Sequence, residues 1–433
     1  MSQTASADEA LLRAIGPVGL AASIVNIMVG GSIFVLPAAL AREVGSAAPL
    51  AYLIGATVMG LVALSFAQAG RRTSRSGGPY LYVENAFGRF PGYLAGLLTW
   101  LAAAFASAAV AAALVDSLGT VFPSLRLPIA RGLALALLFA VLALVNVRGV
   151  RAGTRLATAT AIAKSAGLLL FVVLAARLVE ARNIHWEWPT SAAGIGRATV
   201  LVIFALAGME VPLCAGGEIR DPARTVPRAL LGAMAFVSVL YLTIHLIAQG
   251  VLGRGLAQSQ APLADALARA SAGGRALLLA TGAISMFGYL GGDMLGTSRI
   301  LFAFGRDGLL PRRLAAVHTG TRAPHMAIMV HTVIAAVLAM SGTFTLLAPI
   351  ASLAILLLYL GCCVAAWILA RRDAQASGSA QHPLTVLAPL LAIPGLLWVL
   401  AHSTPPEFLA VGTVIALGSA TYWVGDALRA RAA

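Results

Sequence analysis

The chain has 433 residues, 60% hydrophobic and 11% charged, with a mean hydropathy of +0.90 and a formal net charge of +14. An ordinary soluble domain carries about 25% charged residues, so this chain cannot cover itself with a polar surface and its solvent is lipid. The basic excess then speaks of membrane topology rather than nucleic-acid binding. Cys214, Cys362 and Cys363, all inside apolar runs, offer neither a disulfide framework nor a metal spacing.

The first 16 residues are polar, carry Asp8, Glu9 and Arg13, and lack the small-residue cleavage site of a signal peptide. They read as a cytoplasmic N-terminal segment. Twelve apolar runs follow, each near the length a helix needs to cross the hydrocarbon core. They lie near 17–40, 48–69, 92–118, 129–147, 156–178, 196–216, 228–252, 276–304, 325–341, 345–370, 384–401 and 406–427. The expected fold class is an all-α integral membrane protein of about twelve transmembrane helices. With a cytoplasmic N-terminus, roughly 20 of the 30 Arg and Lys residues fall inside and roughly nine outside. The densest clusters (Arg71, Arg72 and Arg75; Arg148, Arg151 and Arg155; Arg306, Arg312 and Arg313) all share the inner side. Both termini are then cytoplasmic, with a short tail at 428–433.

Two runs are interrupted as a plain span need not be. "NIMVGGSIFVLPA" (26–38) contains Gly30, Gly31, Ser32 and Pro37; "FALAGMEVPL" (204–213) contains Gly208 and Pro212. Glycine is common in membrane helices for close packing. Paired breaks in spans one and six instead point to a repeat-built transporter with its site at the midplane. Unwound backbone at that depth needs a cavity or a ligand to satisfy it.

Lys164, in "TATAIAKSAG" (158–167), is the only lysine. It lies nine residues beyond Arg155, about 14 Å along a helix, too deep to reach the interface. A charge there costs about 2.5–3.5 kcal/mol and is a functional candidate by default.

Five strings lie in order along the chain: "VGGSIFVLPA" within the first break, "SGGPYLYVENAFG" (76–88), "NVRGVRAG" (146–153), "GEIRDPARTVPRAL" (217–230) and "SRILFAFGRDGLLP" (298–311). On these the chain resembles the amino acid–polyamine–organocation transporter superfamily over nearly its whole length. The resemblance implies a LeuT-type arrangement: an inverted repeat of five plus five helices (17–180 and 195–371), with helices one and six broken, and two extra helices (384–427). It implies alternating access and amino acid or amine substrates. One departure is the order Gly-Gly-Ser where the family has Gly-Ser-Gly, so hydroxyl contacts do not transfer.

An α-amino acid presents a carboxylate and an ammonium. Amides at Gly30, Gly31 and Ser32 can cradle the carboxylate at a helix N-terminus. Carbonyls around Ile27 and from Phe204, Ala205 and Leu206 can take the ammonium. Lys164 resembles the span-five lysine of sodium-independent relatives, which occupies the place of the ion. Unlike arginine, lysine can also give up its proton on burial. Glu210, in "GMEVP", resembles the gating and pH-responsive glutamate of arginine/agmatine-type exchangers, and Phe204 matches their aromatic gate. Asp293 stands near a second aromatic gate position and is, with Lys164 and Glu210, a candidate coupling or gating group; it can bind a cationic tail, pair with Lys164 or face water. Glu218, Arg220, Asp221, Arg224 and Arg228 are expected to form a cytoplasmic gate network, and Asp116 to be solvated.

The histidines at 185, 245, 318, 325, 331, 382 and 402 lie mainly near loops or span ends without metal spacing, and no nucleophile motif or phosphate loop occurs. Trp100, Trp186, Trp188, Trp367, Trp398 and Trp423 read mostly as an interfacial belt. The expectation is a secondary amino-acid transporter of the bacterial inner membrane, neither an enzyme nor dependent on a cofactor or metal. Its expected partners are the small-molecule substrate, lipid and protons, with homodimerisation open. Glu210 and Asp293 favour exchange of a cationic amino acid or amine, sodium-independent. Small residues at the first break equally allow proton-coupled uptake of a neutral amino acid. A transporter-like nutrient sensor is the alternative of another class.

Overall fold

The computed structural model describes residues 10–119, 121–184, 192–271, 273–341, 344–377, 383–401 and 405–432. Asp8, Glu9, His185, Trp186, Trp188, His382 and His402 lie outside them. Among the described residues the secondary structure is helical, apart from one isolated bridge between Ile15 and Ile219.

Span one comprises Pro17–Met28 and Leu36–Val44, joined through a short 3-10 turn at Ser32–Phe34; span two is Ala48–Gly70. Span three is Arg89–Leu118, span four Pro128–Val147 and span five Val150–Ala175. Span six is Ala192–Leu206 followed, after a break, by Glu210–Leu213. Spans seven to ten are Pro222–Leu252, Gly274–Arg306, His325–Ser341 and Phe344–Ser377, and spans eleven and twelve are Pro383–Leu400 and Pro405–Ala432. Eight stretches are long and apolar enough to cross a bilayer. Four shorter apolar helices, which include the first half of span one, complete the set. Two short helices lie outside it, Pro79–Phe87 before span three and Pro262–Ala268 before span eight.

Proline opens many of these helices, as at Pro17, Pro128 and Pro222, where its missing N–H costs nothing. Glycine turns the chain between spans four and five. Gly149 has φ +112, and a Cβ there would come within 2.8 Å of the Thr321 carbonyl oxygen.

Span three is the central post, packed against spans eight, nine and ten. Its apolar window is 67% buried, against 22% for span four, which faces lipid. Ala102, Ala103, Ala104, Ala108, Ala109, Ala111 and Ala112 are buried along it. Small side chains let neighbouring backbones approach where no hydrophobic effect drives association. Span five packs on spans one and eight, and span seven on spans one and two. Trp398 and Trp423 are exposed towards lipid, whereas Trp100 packs partly buried inside span three, away from any interfacial belt.

One end of the bundle carries the arginine clusters and is here the arginine-rich face; the other is the far face. The arginine-rich face is closed. Residues 10–16 do not hang free: the amides of Ala14 and Ile15 donate to the Glu218 carbonyl, and Arg220 N–H donates to Ile15 O.

Candidate functional site

The two helix breaks face each other across a cavity of about 450 Å³, within the range of small-molecule sites. Ile27, Gly30, Gly31, Ser32, Phe204 and Ala205, all anticipated as substrate-binding, line it. Leu206 does not; it is fully buried in the core. The lining from spans three and eight is largely apolar, with Ala103, Ala106, Ala109, Val110, Met286 and Tyr289, and Tyr289 and Met286 pack beside Gly30 and Gly31. Ser117, Gln260 and Ala264 extend the lining towards the far face.

Backbone polarity is concentrated at the breaks. The Gly30 amide is already used, donating to Met28 O at 3.0 Å, while the amides of Gly31 and Ser32 make no backbone hydrogen bond among the described residues. The Phe204 carbonyl accepts from Ala207 N–H; those of Ile27 and Ala205 accept no such bond. The cradle is therefore narrower than expected: two amides and two carbonyls facing one cavity. Gly208 makes the second break possible, with φ +107 and space so tight that a Cβ would lie 2.5 Å from Ile27 Cγ2.

Behind the first break lies a polar lattice without access to solvent. Lys164, fully buried, donates to the carbonyls of Asn26 at 2.9 Å, Val29 at 2.7 Å and Ser285 at 3.0 Å. Ser285 Oγ reaches Val29 O and Gly30 O. Asn26 Nδ2 donates to Gly288 O, and Thr160 Oγ1 donates to Asn26 Oδ1. An ammonium thus ties spans one, five and eight, through the Asn26 and Val29 carbonyls at the break and the Ser285 carbonyl of the unbroken span eight. Asn26, Thr160 and Ser285 were not anticipated, although Thr160 sits one helical turn before Lys164, on the same face.

Glu210 opens the helix after the second break and lines the cavity. Tyr359 of span ten donates its hydroxyl to Glu210 Oε2 at 2.5 Å and accepts from Gly208 N–H at 3.1 Å. One phenol therefore holds both the acid and the break. Asp293 does not line the cavity and does not pair with Lys164. It is fully buried, accepting from Ser107 Oγ at 2.6 Å and Thr297 Oγ1 at 2.9 Å. His331 Nε2 stands 3.4 Å from its Oδ2. Contrary to the loop-and-end reading of the histidines, both His245 and His331 are buried within helices.

The five charges after span six do not form one network. Glu218 turns inward and takes a bidentate pair with Arg299 at 2.9 and 3.0 Å, both side chains fully buried. Arg220 donates to Ala14 O; Asp221 and Arg224 form an exposed 3.7 Å pair; Arg228 is exposed. A second cluster on this face joins Arg75 and Arg306 to Asp307, with Tyr80 donating to the same carboxylate. Asp116 is solvent-exposed and pairs with Arg131 at 2.8 Å. Arg299 escaped notice because it follows an apolar run and reads as a span-end cation.

Comparison with known proteins agrees with this architecture. The family model described as "Amino acid permease" matches residues 15–424. The serine/threonine exchanger of Bacillus subtilis is 26% identical, the match covering 95% of this chain and 96% of that one. An uncharacterised transporter of Mycobacterium tuberculosis is 31% identical over 94% of this chain and 89% of its own. The branched-chain amino acid permease of Lactococcus lactis is 25% identical, with 92% and 91% covered.

Proposed function

The chain belongs to the amino acid permease family, and from that premise we propose that it carries neutral amino acids across the cell membrane by alternating access, without sodium. The observation that carries this is the division of the cavity. Backbone amides and carbonyls at the breaks suit the α-carboxylate and α-ammonium; the apolar lining from spans three and eight suits an apolar or small side chain.

A cationic side chain would need a carboxylate to meet it. Glu210 is the one acid in the lining, and it is engaged by Tyr359; Asp293 stands outside the lining. The cationic exchange favoured at first rested on these two acids, so the neutral reading replaces it. Similarity to an exchanger of serine and threonine and to a branched-chain permease supports the same choice.

In this reading the arginine-rich face is cytoplasmic by the positive-inside rule, and the structure is an outward-facing state. The cavity extends towards the far face while Glu218–Arg299 and the Asp307 cluster hold the other side shut. Motion of the blocks 17–180 and 195–371 about the breaks then exposes the cavity alternately. Lys164 takes the place of a sodium ion between spans one, five and eight.

The test is uptake of labelled alanine, serine, leucine and arginine into proteoliposomes, with potassium replacing sodium throughout. Neutral substrates are expected to enter and arginine neither to enter nor to compete. Arginine transport, or a strict sodium requirement, would overturn the reading.

A further inference from the structure

Outside the cavity lining lies a titratable pair that the site does not use. Ile27, Ala103 and Val211 form a small apolar cluster with Tyr289 packed on it. Asp293 sits one turn beyond Tyr289 on span eight, towards the arginine-rich face, and Ser107, which bonds it, sits one turn from Ala103 on span three. His331 approaches from span nine, 1% exposed, and neither ring nitrogen has a hydrogen-bond partner among the described residues. Buried imidazoles are ordinarily satisfied. With Nε2 at 3.4 Å from Oδ2, a small side-chain rotation completes the bond.

We propose that Asp293 and His331 form a proton-binding pair through which transport is coupled to protons. The inference rests on the transporter reading above and deepens it.

Charge bookkeeping makes the case. An ionised Asp293 beside a neutral His331 leaves one unbalanced negative charge in the membrane, which is costly; one shared proton makes the pair neutral. Neighbouring groups do not supply that balance. Lys164, from span five, directs its ammonium to three neutral carbonyls and makes no ion pair with Asp293, and Arg299 pairs with Glu218. On the segment after the second break, Glu210 is bonded to Tyr359 and Cys214 donates to the Glu210 carbonyl. Tyr289 shares span eight; span three contributes the Ser107 hydroxyl to the pair and carries Arg89, Tyr93 and Asp116 nearer its ends. On span nine the other ionisable group is His325 at its first residue; span four carries Arg131 and Arg148 near its ends. Along span eight Asp293 lies between Tyr289, which lines the cavity, and Arg299 of the closure. A proton taken up with the substrate from the far side can therefore leave when that closure opens.

The experiment compares two readouts in proteoliposomes, with alanine as the probe. One is counterflow of labelled alanine into preloaded vesicles at equal pH; the other is accumulation driven by an inward proton gradient. Wild type is expected to show both. Asp293→Asn and His331→Gln are expected to keep counterflow and lose gradient-driven accumulation. Ser107→Ala, a gentler change, is expected to shift the pH profile of uptake, which keeps the test decisive if the first two fail to fold. Gradient-driven accumulation in Asp293→Asn, or an unchanged pH profile in Ser107→Ala, would overturn the proposal. So would wild-type counterflow without any response to the gradient, although transport itself would stand. Absence of counterflow with every amino acid tried would remove the transport reading and this inference together.

Discussion

Lys164 Nζ and Ser285 Oγ donate to the same oxygen, the carbonyl of Val29, at 2.7 and 2.8 Å. One comes from span five and the other from span eight, and both close on the point where span one unwinds. The break is thus held from outside by side chains as well as permitted by its glycines.

Lys164→Ala removes the donor shared by three carbonyls. Val29 O keeps Ser285 Oγ, and Ser285 O lies inside an unbroken helix, so the Asn26 carbonyl is the buried acceptor left unmet. That costs about 1–3 kcal/mol, and sodium-free uptake is expected to fall by about tenfold. Lys164→Arg should not rescue it, because the site is fully buried and a planar fork does not replace a compact ammonium. Initial rates of uptake at matched expression are the measurement; full activity of Lys164→Ala would remove the role assigned to it.

Tyr359→Phe keeps the ring, which packs edge-on against Phe66 at 5.5 Å, and deletes the hydroxyl that joins Glu210 to Gly208. Loss of one charge-assisted and one neutral bond, about 2–4 kcal/mol together, is expected to lower kcat/KM for alanine by well over tenfold in a protein that still folds. Wild-type kinetics would show that the phenol is only a packing group.

Glu218→Met and Arg299→Met each strand a buried charge and should destabilise by about 3–5 kcal/mol. The double substitution removes both charges and should recover much of that loss. Thermal unfolding in detergent of the singles and the double decides it; additive losses would mean that the two residues act independently.

Gly208→Ala puts a Cβ at φ +107 against Ile27 and is expected to abolish transport. Gly232→Ala, in span seven where a Cβ meets nothing within 4 Å, should be neutral or stabilise by up to about 1 kcal/mol. Parallel uptake assays of the two separate a demand of the break from a general intolerance of methyl groups.

Glu84 lies in the short helix before span three, where burial raises its carboxyl above the usual 4.5. A raised folded-state value means that the contribution to stability is fully present below the unfolded value and fades as pH rises through the folded one. Glu84→Gln is expected to flatten that dependence and make the protein somewhat more stable at neutral pH. An unchanged slope of melting temperature against pH between acid and neutral conditions would count against it.

Which features were legible follows from their range. Gly30 and Gly31 in one apolar run, and Gly208 in another, announce the breaks because a helix interruption is a local property of backbone and composition. Lys164 stands out for the same reason, a lone charge at a depth where lipid tolerates few. Tyr359 and His331 gave no such signal. An aromatic ring in an apolar run reads as packing, and a histidine six residues into a helix reads as near its end.

Composition and hydropathy by themselves determined an all-helical chain in a bilayer, the number of its spans and the places where two of them unwind, because lipid demands satisfied backbone segment by segment. Which side chains meet was decided only by the tertiary structure. Lys164 and the Asn26 carbonyl are 138 residues apart, Arg299 and Glu218 are 81, and Tyr359 and Glu210 are 149. The register of one helix against another depends on how small residues let them approach and rotate, and no periodicity within a single span encodes it. That register gave Glu218 to Arg299 instead of to its own loop, and drew Asp293 away from Lys164 to stand beside His331.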